Sequence, residues 1–472
     1  MSPKQSMVQK LSVSSRSNEA KRRPMAGSKA YYVILLIVLA AILVPIWIVR
    51  YPGMIDLPNH LARCYIIAHY HDNPIWQQRY LVVYAPKPNL AIDLIVTPLA
   101  RFLPLMVCGK IFVSLAATLF VVGCSEVGRA ITGKLNWLAL IASFTFYNMY
   151  LFDGFINYIF GVSVFLCAFA YWLHVRNAMT PIRFSLCCLL STASFLSHLS
   201  SIVILGVACG TVALIDLVRD RKFFGFILKL SWLAFPLLLM AAFMKSGGGH
   251  VGTVTWWPLA ERLPNILAPL SSYSRLLNVA IAAILLVCAV PILRRSKVHP
   301  AAIAGLVLLV LFLISPDELF TATHVAERFV VPGYLLLVLS IEPRWGRWQK
   351  AAIAVGLAAM AFRVAAITAD WLIISHRSEM ALDMGQVLPE GARIFVLKSM
   401  PDPTPKVDRG LLQVIELWTV SHDAYLSTFF GSPSQCRRPS GNVVYRPSAG
   451  IRQFDIICAA GARHRSIIVW KA

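Results

Sequence analysis

YPGMIDLPNHLARCYIIAHYHDNPIWQQRYLVVY, residues 51–84, decides how this chain is read. It lies between the first very hydrophobic segment and the second, yet it is rich in Asp, His, Arg and Tyr. Asp56-Leu57-Pro58 reads as a helix start, because Asp can accept from the free backbone N–H groups and a proline in the first turn loses no hydrogen bond. From there Asp56, His60 and Arg63 fall on one helical face. Two readings stand side by side: a cap followed by an ordinary interfacial helix, or a reactive acid, imidazole and guanidinium at a membrane surface. His69, His71 and Asp72 add metal-ligand types, but their spacing fits no closed zinc pattern, so a divalent cation is the only cofactor left open.

Composition sets the class. The 472 residues are 58% hydrophobic and only 14% charged, with a mean hydropathy of +0.67. Soluble domains carry roughly a quarter charged residues, so an all-α polytopic membrane protein is expected. The net charge of +22 is what basic cytoplasmic connections produce. No basic patch is interleaved with aromatics, which sets nucleic acid aside. Residues 1–30 are basic, Ser-rich and aperiodic, and read as a disordered cytoplasmic tail. The apolar run 31–49 is too long for a signal-peptide core and reads as a retained first span. Most of the ten cysteines lie in or beside apolar runs, where cysteine behaves as a small hydrophobe. Cys436 and Cys458 lie in the polar tail and pair only if that tail is periplasmic.

About eleven spans are expected: 31–49, 104–123, 136–150, 158–174, 184–197, 199–217, 226–244, 276–293, 301–315, 329–341 and 350–371. The two between 184 and 217 require a tight hairpin. Alternate connections carry Arg129 and Lys134, Arg176 and Arg183, Arg219, Arg221 and Lys222, Arg294, Arg295 and Lys297, and Arg344, Arg347 and Lys350. These belong to the cytoplasm with the N-terminal tail, which puts the C-terminus outside. Away from their ends the spans carry only Lys110 and Arg363 as charges, and both are expected to reach toward an interface. The expected organisation is a tail (1–30), a transmembrane unit (31–372) with an outer loop at 50–103, and a periplasmic α/β domain (373–472). Strand-like runs in the last are 393–397, 443–445, 454–458 and 466–470.

The outward connections hold the chemistry. In 316–328, Asp317, Glu318, His324, Glu327 and Arg328 cluster; Glu327-Arg328 reads either as a solvated ion pair or as a lipid-phosphate site at the mouth of a span. In 245–275, Trp256 and Trp257 are interfacial aromatics, and Lys245, His250, Arg262 and Arg275 offer charge to an anionic head group. That loop reads equally as a gate or as a plain interfacial segment. Asp153, Asn157 and His198 sit in tight turns, where polar residues most often satisfy backbone groups.

The basic tail, the single span, the long outer loop with an Asp entering an amphipathic helix, the many short spans and the extracytoplasmic C-terminal part resemble the GT-C superfamily of membrane glycosyltransferases. DLPNHLAR at 56–63, FINYIFG at 155–161, FLSHLSS at 195–201 and LPEGARIFVL at 388–397 look like a bacterial GT-C-like branch. The resemblance implies sugar transfer from a polyprenyl-phosphate donor to a periplasmic lipid, glycan or protein acceptor at a bacterial inner membrane. It implies a catalytic acid in the first outer loop, which maps onto Asp56. Members often show two adjacent acids there; this chain has Asp56-Leu57, so a second acid is sought at Asp153 or Asp317. The remaining candidates for substrate binding are His60, Arg63, Asn157, His198, Lys245, Glu318, His324, Glu327 and Arg328. The alternatives are an inactive envelope-assembly scaffold and a lipid or solute transporter, the latter disfavoured by the lack of repeats and of mid-span charge.

Overall fold

In this computed structural model the described residues are 28–82, 87–245, 253–320, 322–397, 413–423, 425–426, 443–445 and 466–470. The main helices are α1 (Ser28–Ile48), α2 (Leu57–Ala68), α3 (Ala91–Leu99), α4 (Leu105–Thr132), α5 (Ile156–Val175), α6 (Pro181–Ser197), α7 (Leu199–Asp220), α8 (Arg275–Leu293), α9 (Ala302–Ile314), α10 (Val330–Leu339) and α11 (Arg347–Asp383). Six are long and apolar enough to cross a membrane: α1, α4, α5, α7, α8 and α11 with the turn that extends it. The chain is therefore a multi-pass membrane protein. The other expected spans are shorter or broken. The run at 136–150 divides into Leu138–Ser143, a 3-10 turn at Phe144–Phe146, and Met149–Phe152, whose N-cap Asn148 accepts from Tyr150 and Leu151. The run at 226–244 breaks at Ser231–Leu233. Irregular backbone at membrane depth is tolerated where protein covers it, and Phe144, Phe146 and Tyr147 are all buried.

α5 is the central helix. Nearly all its side chains are buried, and it packs on α4, α6 and α7. The hairpin expected between 184 and 217 forms: α6 and α7 are separated by His198 alone, in extended backbone. Arg176, which ends α5, meets Asp216, near the end of α7, at 3.1 Å, and α6 packs along α7.

The connections sort into two groups. At one end the strands β3 (Ser296–Val298) and β5 (Ile341–Pro343) pair antiparallel, Lys134 Nζ reaches Glu342 at 2.7 Å, and Asn136 donates to the carbonyl of Leu339. This is the Lys- and Arg-rich set. At the other end β2 (Thr253–Thr255) pairs with β4 (Glu318–Phe320), Ile55 N donates to Phe152 O, and Tyr273 Oη donates to Gly53 O at 2.6 Å. This is the set with the acids and histidines.

Two expectations about charge within spans meet different outcomes. Arg363 does not reach an interface. It is fully buried, and its guanidinium donates to the carbonyls of Leu270, Tyr147, Phe144 and Ser271. These carbonyls belong to the broken 144–152 run and to the end of the 263–270 turn, where the helical pattern leaves acceptors without an internal donor. Lys110 does reach an end, donating to Val49 O at 2.5 Å beside the Trp47 ring.

After the membrane unit, α11 continues through the expected boundary at 373 to Asp383. β6 (Arg393–Leu397) pairs parallel with β7 (Tyr425–Leu426) and antiparallel with β9 (Ser466–Trp470). β8 (Val443–Tyr445) instead joins β1 (Tyr80–Val82) of the first outer loop. Ala62, Ile66, Trp76 and Tyr80 share one core with Leu388, Ile394, Ile415 and Trp418. The strand expected at 454–458, with Cys436 and Cys458, lies outside the described residues.

Candidate functional site

The start of α5 organises the site. Before it, the chain turns at Asp153-Gly154, and this turn lies against Asp56: Asp56 N donates to Asp153 O at 3.3 Å. Gly154 has φ +85°, and a β-carbon there would collide with the backbone nitrogen of Asp56. Only glycine gives both that backbone and that approach. The two half-buried acids, at positions 56 and 153, are thus brought side by side from distant parts of the chain. Asp56 occupies the N-cap position of α2 without a side-chain hydrogen bond to its first turn, so the expected cap does not form.

Arg328 comes in from the outer loop before α10. Its guanidinium carbon is 5.8 Å from the centre of the Phe155 ring, and Tyr158 Oη donates to its carbonyl at 2.8 Å. Its Nε is buried with no hydrogen-bond partner among the described residues. No carboxylate among them lies within ion-pair distance of it either, and burial lowers its pKa. The neighbouring Glu327 is committed elsewhere: its carboxylate takes Asn265 Nδ2 at 2.5 Å and faces His324 Nδ1 at 3.0 Å. The solvated Glu327-Arg328 pair is therefore not what forms.

His198 approaches from the α6–α7 turn, its ring 5.6 Å from that of Tyr158. Its Nδ1 accepts from Ser200 N at 3.1 Å, which places the proton on Nε2. Burial first, and the charge of Arg328 second, push its pKa well below the usual imidazole value. It is a neutral donor.

A second cluster flanks the same helix start. Arg63 donates from Nε and Nη2 to Asp93 Oδ1 at 3.0 and 2.7 Å, a buried pair between α2 and α3. This bond takes up the side chain expected to serve as a substrate-binding group. Asn157 is likewise structural, since its Oδ1 accepts from Ile92 N and its Nδ2 donates to Asn89 O, which clamps the start of α3. His60 lies half-buried here with its Nδ1 enclosed, and desolvation first, then the charge of Arg63, hold its pKa well below the ordinary imidazole value. Lys87, which no motif in the sequence marks, is pushed down to about 8 by burial and by Arg63.

Asp317 is not a second catalytic acid. It is wholly buried, paired with Arg262, and accepts Trp257 N at 2.6 Å. Arg262 also donates to the carbonyls of Trp257, Leu313 and Ser315, so its donors are already engaged and no head group can take them. Glu318 accepts from Thr255 Oγ1 within the β2–β4 pair. Lys245 ends the Ala234–Lys245 helix, and His250 lies outside the described residues. Among the described residues no group of three or more His, Cys, Asp or Glu side chains is placed to hold a metal ion.

The convergent set is thus Asp56, Asp153, His198, His324, Glu327 and Arg328. Their residue types and outer-loop positions mark all six in the sequence. The rings that join them, Phe155 and Tyr158, carry no such mark. Both lie in the FINYIFG stretch, where aromatic residues signal only apolar packing.

The arrangement is that of a multi-pass membrane protein. The chain is similar in structure to ArnT from Cupriavidus metallidurans bound to undecaprenyl phosphate, with a TM-score of 0.52 and 10% sequence identity, over 94% of this chain and 98% of that one. No family model and no curated protein matches the sequence.

Proposed function

We propose that this protein is a membrane glycosyltransferase, moving a sugar from a polyprenyl-phosphate-linked donor to an acceptor hydroxyl on the periplasmic side of a bacterial inner membrane. The observation that carries the reading is Arg328, half-buried, with its Nε enclosed and unpartnered and no carboxylate at ion-pair distance among the described residues. A buried cation is unfavourable until an anion meets it. The start of α5, which has no side-chain cap, adds the positive end of a 20-residue helix. A phosphate on a lipid entering from the bilayer satisfies both. ArnT, similar in fold, was captured with a lipid of this chemistry.

In this reading the acceptor oxygen attacks the anomeric carbon and Asp56, beside Asp153, takes its proton. The bond from that carbon to the phosphate oxygen breaks, and its electron pair leaves with the phosphate, whose charge Arg328 balances. His198 presents a neutral Nε2–H donor to the same region. Orientation follows the Lys- and Arg-rich end inward and the site end outward.

The test is release of undecaprenyl phosphate from a panel of undecaprenyl-phosphate sugars by the protein in detergent. Asp56→Asn is expected to lower turnover by about 10²–10⁴-fold with folding intact. Arg328→Ala is expected to weaken binding of the lipid phosphate by about 2–5 kcal/mol. Turnover that survives Asp56→Asn removes the base role; binding that survives Arg328→Ala removes the phosphate site.

A further inference from the structure

The loop that brings in Arg328 also builds a second device, which the transfer described above does not use. His324 stands at φ +57°, left-handed backbone that a residue with a β-carbon adopts only where its surroundings hold it. Its Nδ1 lies 3.0 Å from Glu327 Oε2. Glu327 is 1% exposed, and Asn265 donates to its other oxygen, while Tyr150 Oη donates to its backbone carbonyl at 2.8 Å. Both carboxylate oxygens and the backbone of Glu327 are therefore held. The imidazole lies 5.8 Å from the Phe155 ring and 5.3 Å from the Trp257 ring, centre to centre, with 33% of its side chain open. Phe155 is the ring that Arg328 faces. A buried carboxylate that orients a histidine through Nδ1 leaves Nε2 as the working nitrogen.

Resting on the glycosyl-transfer reading, we propose that His324 is a second phosphate ligand and the proton donor to the departing phosphate oxygen, with Glu327 as its positioning residue. As the bond from the anomeric carbon to the phosphate oxygen breaks, its electron pair stays on that oxygen. The Nε2 proton of the imidazolium moves onto it, and the neutral histidine regains a proton from water. The acceptor's own proton goes to Asp56, which returns it to water, so protons and charge balance over the cycle.

The groups around His324 are Glu327 on its own loop, Trp257 from the 253–275 segment, Asp153 and Phe155 from the turn before α5, and Arg328. The hydrogen bond to Glu327 raises its pKa above the ordinary imidazole value, Asp153 adds to this, and Arg328 opposes it. The imidazolium is accordingly present below that raised value and is lost as pH rises through it.

Undecaprenyl phosphate itself is the probe, bound to the whole protein in detergent from about pH 5.5 to about 8.5, the range in which histidine titrates. Because a phosphate monoester also ionises near pH ~6, the readout is the difference between wild type and H324Q at each pH. Wild type is expected to bind about 10-fold or more tighter at the acidic end, as a charge-assisted hydrogen bond gives, with the gap closing as pH rises. E327Q is expected to keep the gap but move its midpoint to lower pH, whereas R328A weakens binding at every pH. H324N and a thermal melt guard against misfolding. Equal affinity of wild type, H324Q and H324N at all pH overturns the His324 role alone, and an unmoved midpoint in E327Q overturns the positioning role. No binding by wild type at any pH overturns this inference together with the donor assignment on which it rests.

Discussion

At the scale of single residues, the neighbourhood of Asp56 and Asp153 depends on one glycine. A β-carbon at 154 would run into the amide nitrogen of Asp56 and stand 2.8 Å from its Cα, backbone that cannot swing aside as a side-chain tip does. Left-handed strain adds about 1–2 kcal/mol for a non-glycine residue. Gly154→Ala is therefore expected to lower the melting temperature and to depress turnover with the lipid-phosphate sugar; unchanged turnover would show that this turn does not set the spacing of the acids. The two desolvated histidines act on stability with a definite sign. His60 and His198 are held well below the ordinary value, so below about pH 6.5 the unfolded chain takes up protons that the folded chain refuses. Stability falls as pH drops through that point and is flat in this respect above it. His198→Asn, which keeps an acceptor for Ser200 N, is expected to reduce the loss of melting temperature between neutral and mildly acidic pH. His324, with its raised value, contributes in the opposite sense.

At the scale of elements, the first outer loop is held by pairs that join α2 and α3 to each other and to α5. Arg63 and Asp93 join α2 to α3, and Asn157 joins α3 to α5. Removing one member of a buried ion pair leaves the other charge in low dielectric and costs about 3–5 kcal/mol. Arg63→Met and Asp93→Leu singly are expected to lose that much in detergent unfolding, and the double substitution less than either. Equal or greater loss in the double substitution would mean that the pair is not what holds α2 to α3. Arg363 plays the corresponding part inside the membrane unit, gathering four carbonyls that the broken 144–152 run and the 263–270 turn leave open. A sequence reader sees in Arg363 only a charge within a span, because the carbonyls that need it come from distant stretches, the nearest of them Ser271.

For the whole molecule, the loops sort by charge into two ends, and this gives a topological prediction. Single cysteines introduced at Arg101 and at Lys297, both exposed, are expected to label from opposite sides in intact cells. Arg101→Cys should react with a membrane-impermeant reagent applied outside, and Lys297→Cys only after lysis. Labelling of both from outside would contradict the assigned orientation.

What the sequence by itself determined is the membrane class, the positions of the main helices, the tight α6–α7 turn, and the sorting of the connections into a basic set and a set with the acids and histidines. These depend on local apolar length, helix signals and the count of Lys and Arg, which neighbouring residues carry without help from the rest of the chain. It also marked the residues of the site, since acids, histidines and arginines in outer loops are chemically conspicuous wherever they end up. Only the tertiary structure decided their roles. Arg63, Arg262, Asp317 and Asn157 have partners that settle them into structural work, whereas Arg328, its Nε enclosed, meets no carboxylate among the described residues and Asp56 is set beside Asp153. The reason is physical: a charged group's role depends on what lies within a few ångströms of it, and those neighbours come from loops far apart in the chain. α11, likewise, runs through the point where composition changes, because packing against the first outer loop, where Ser375 Oγ accepts from Arg50 N and Tyr51 N, and against the 414–417 turn continues the helix past the apolar run that ends at Ile374.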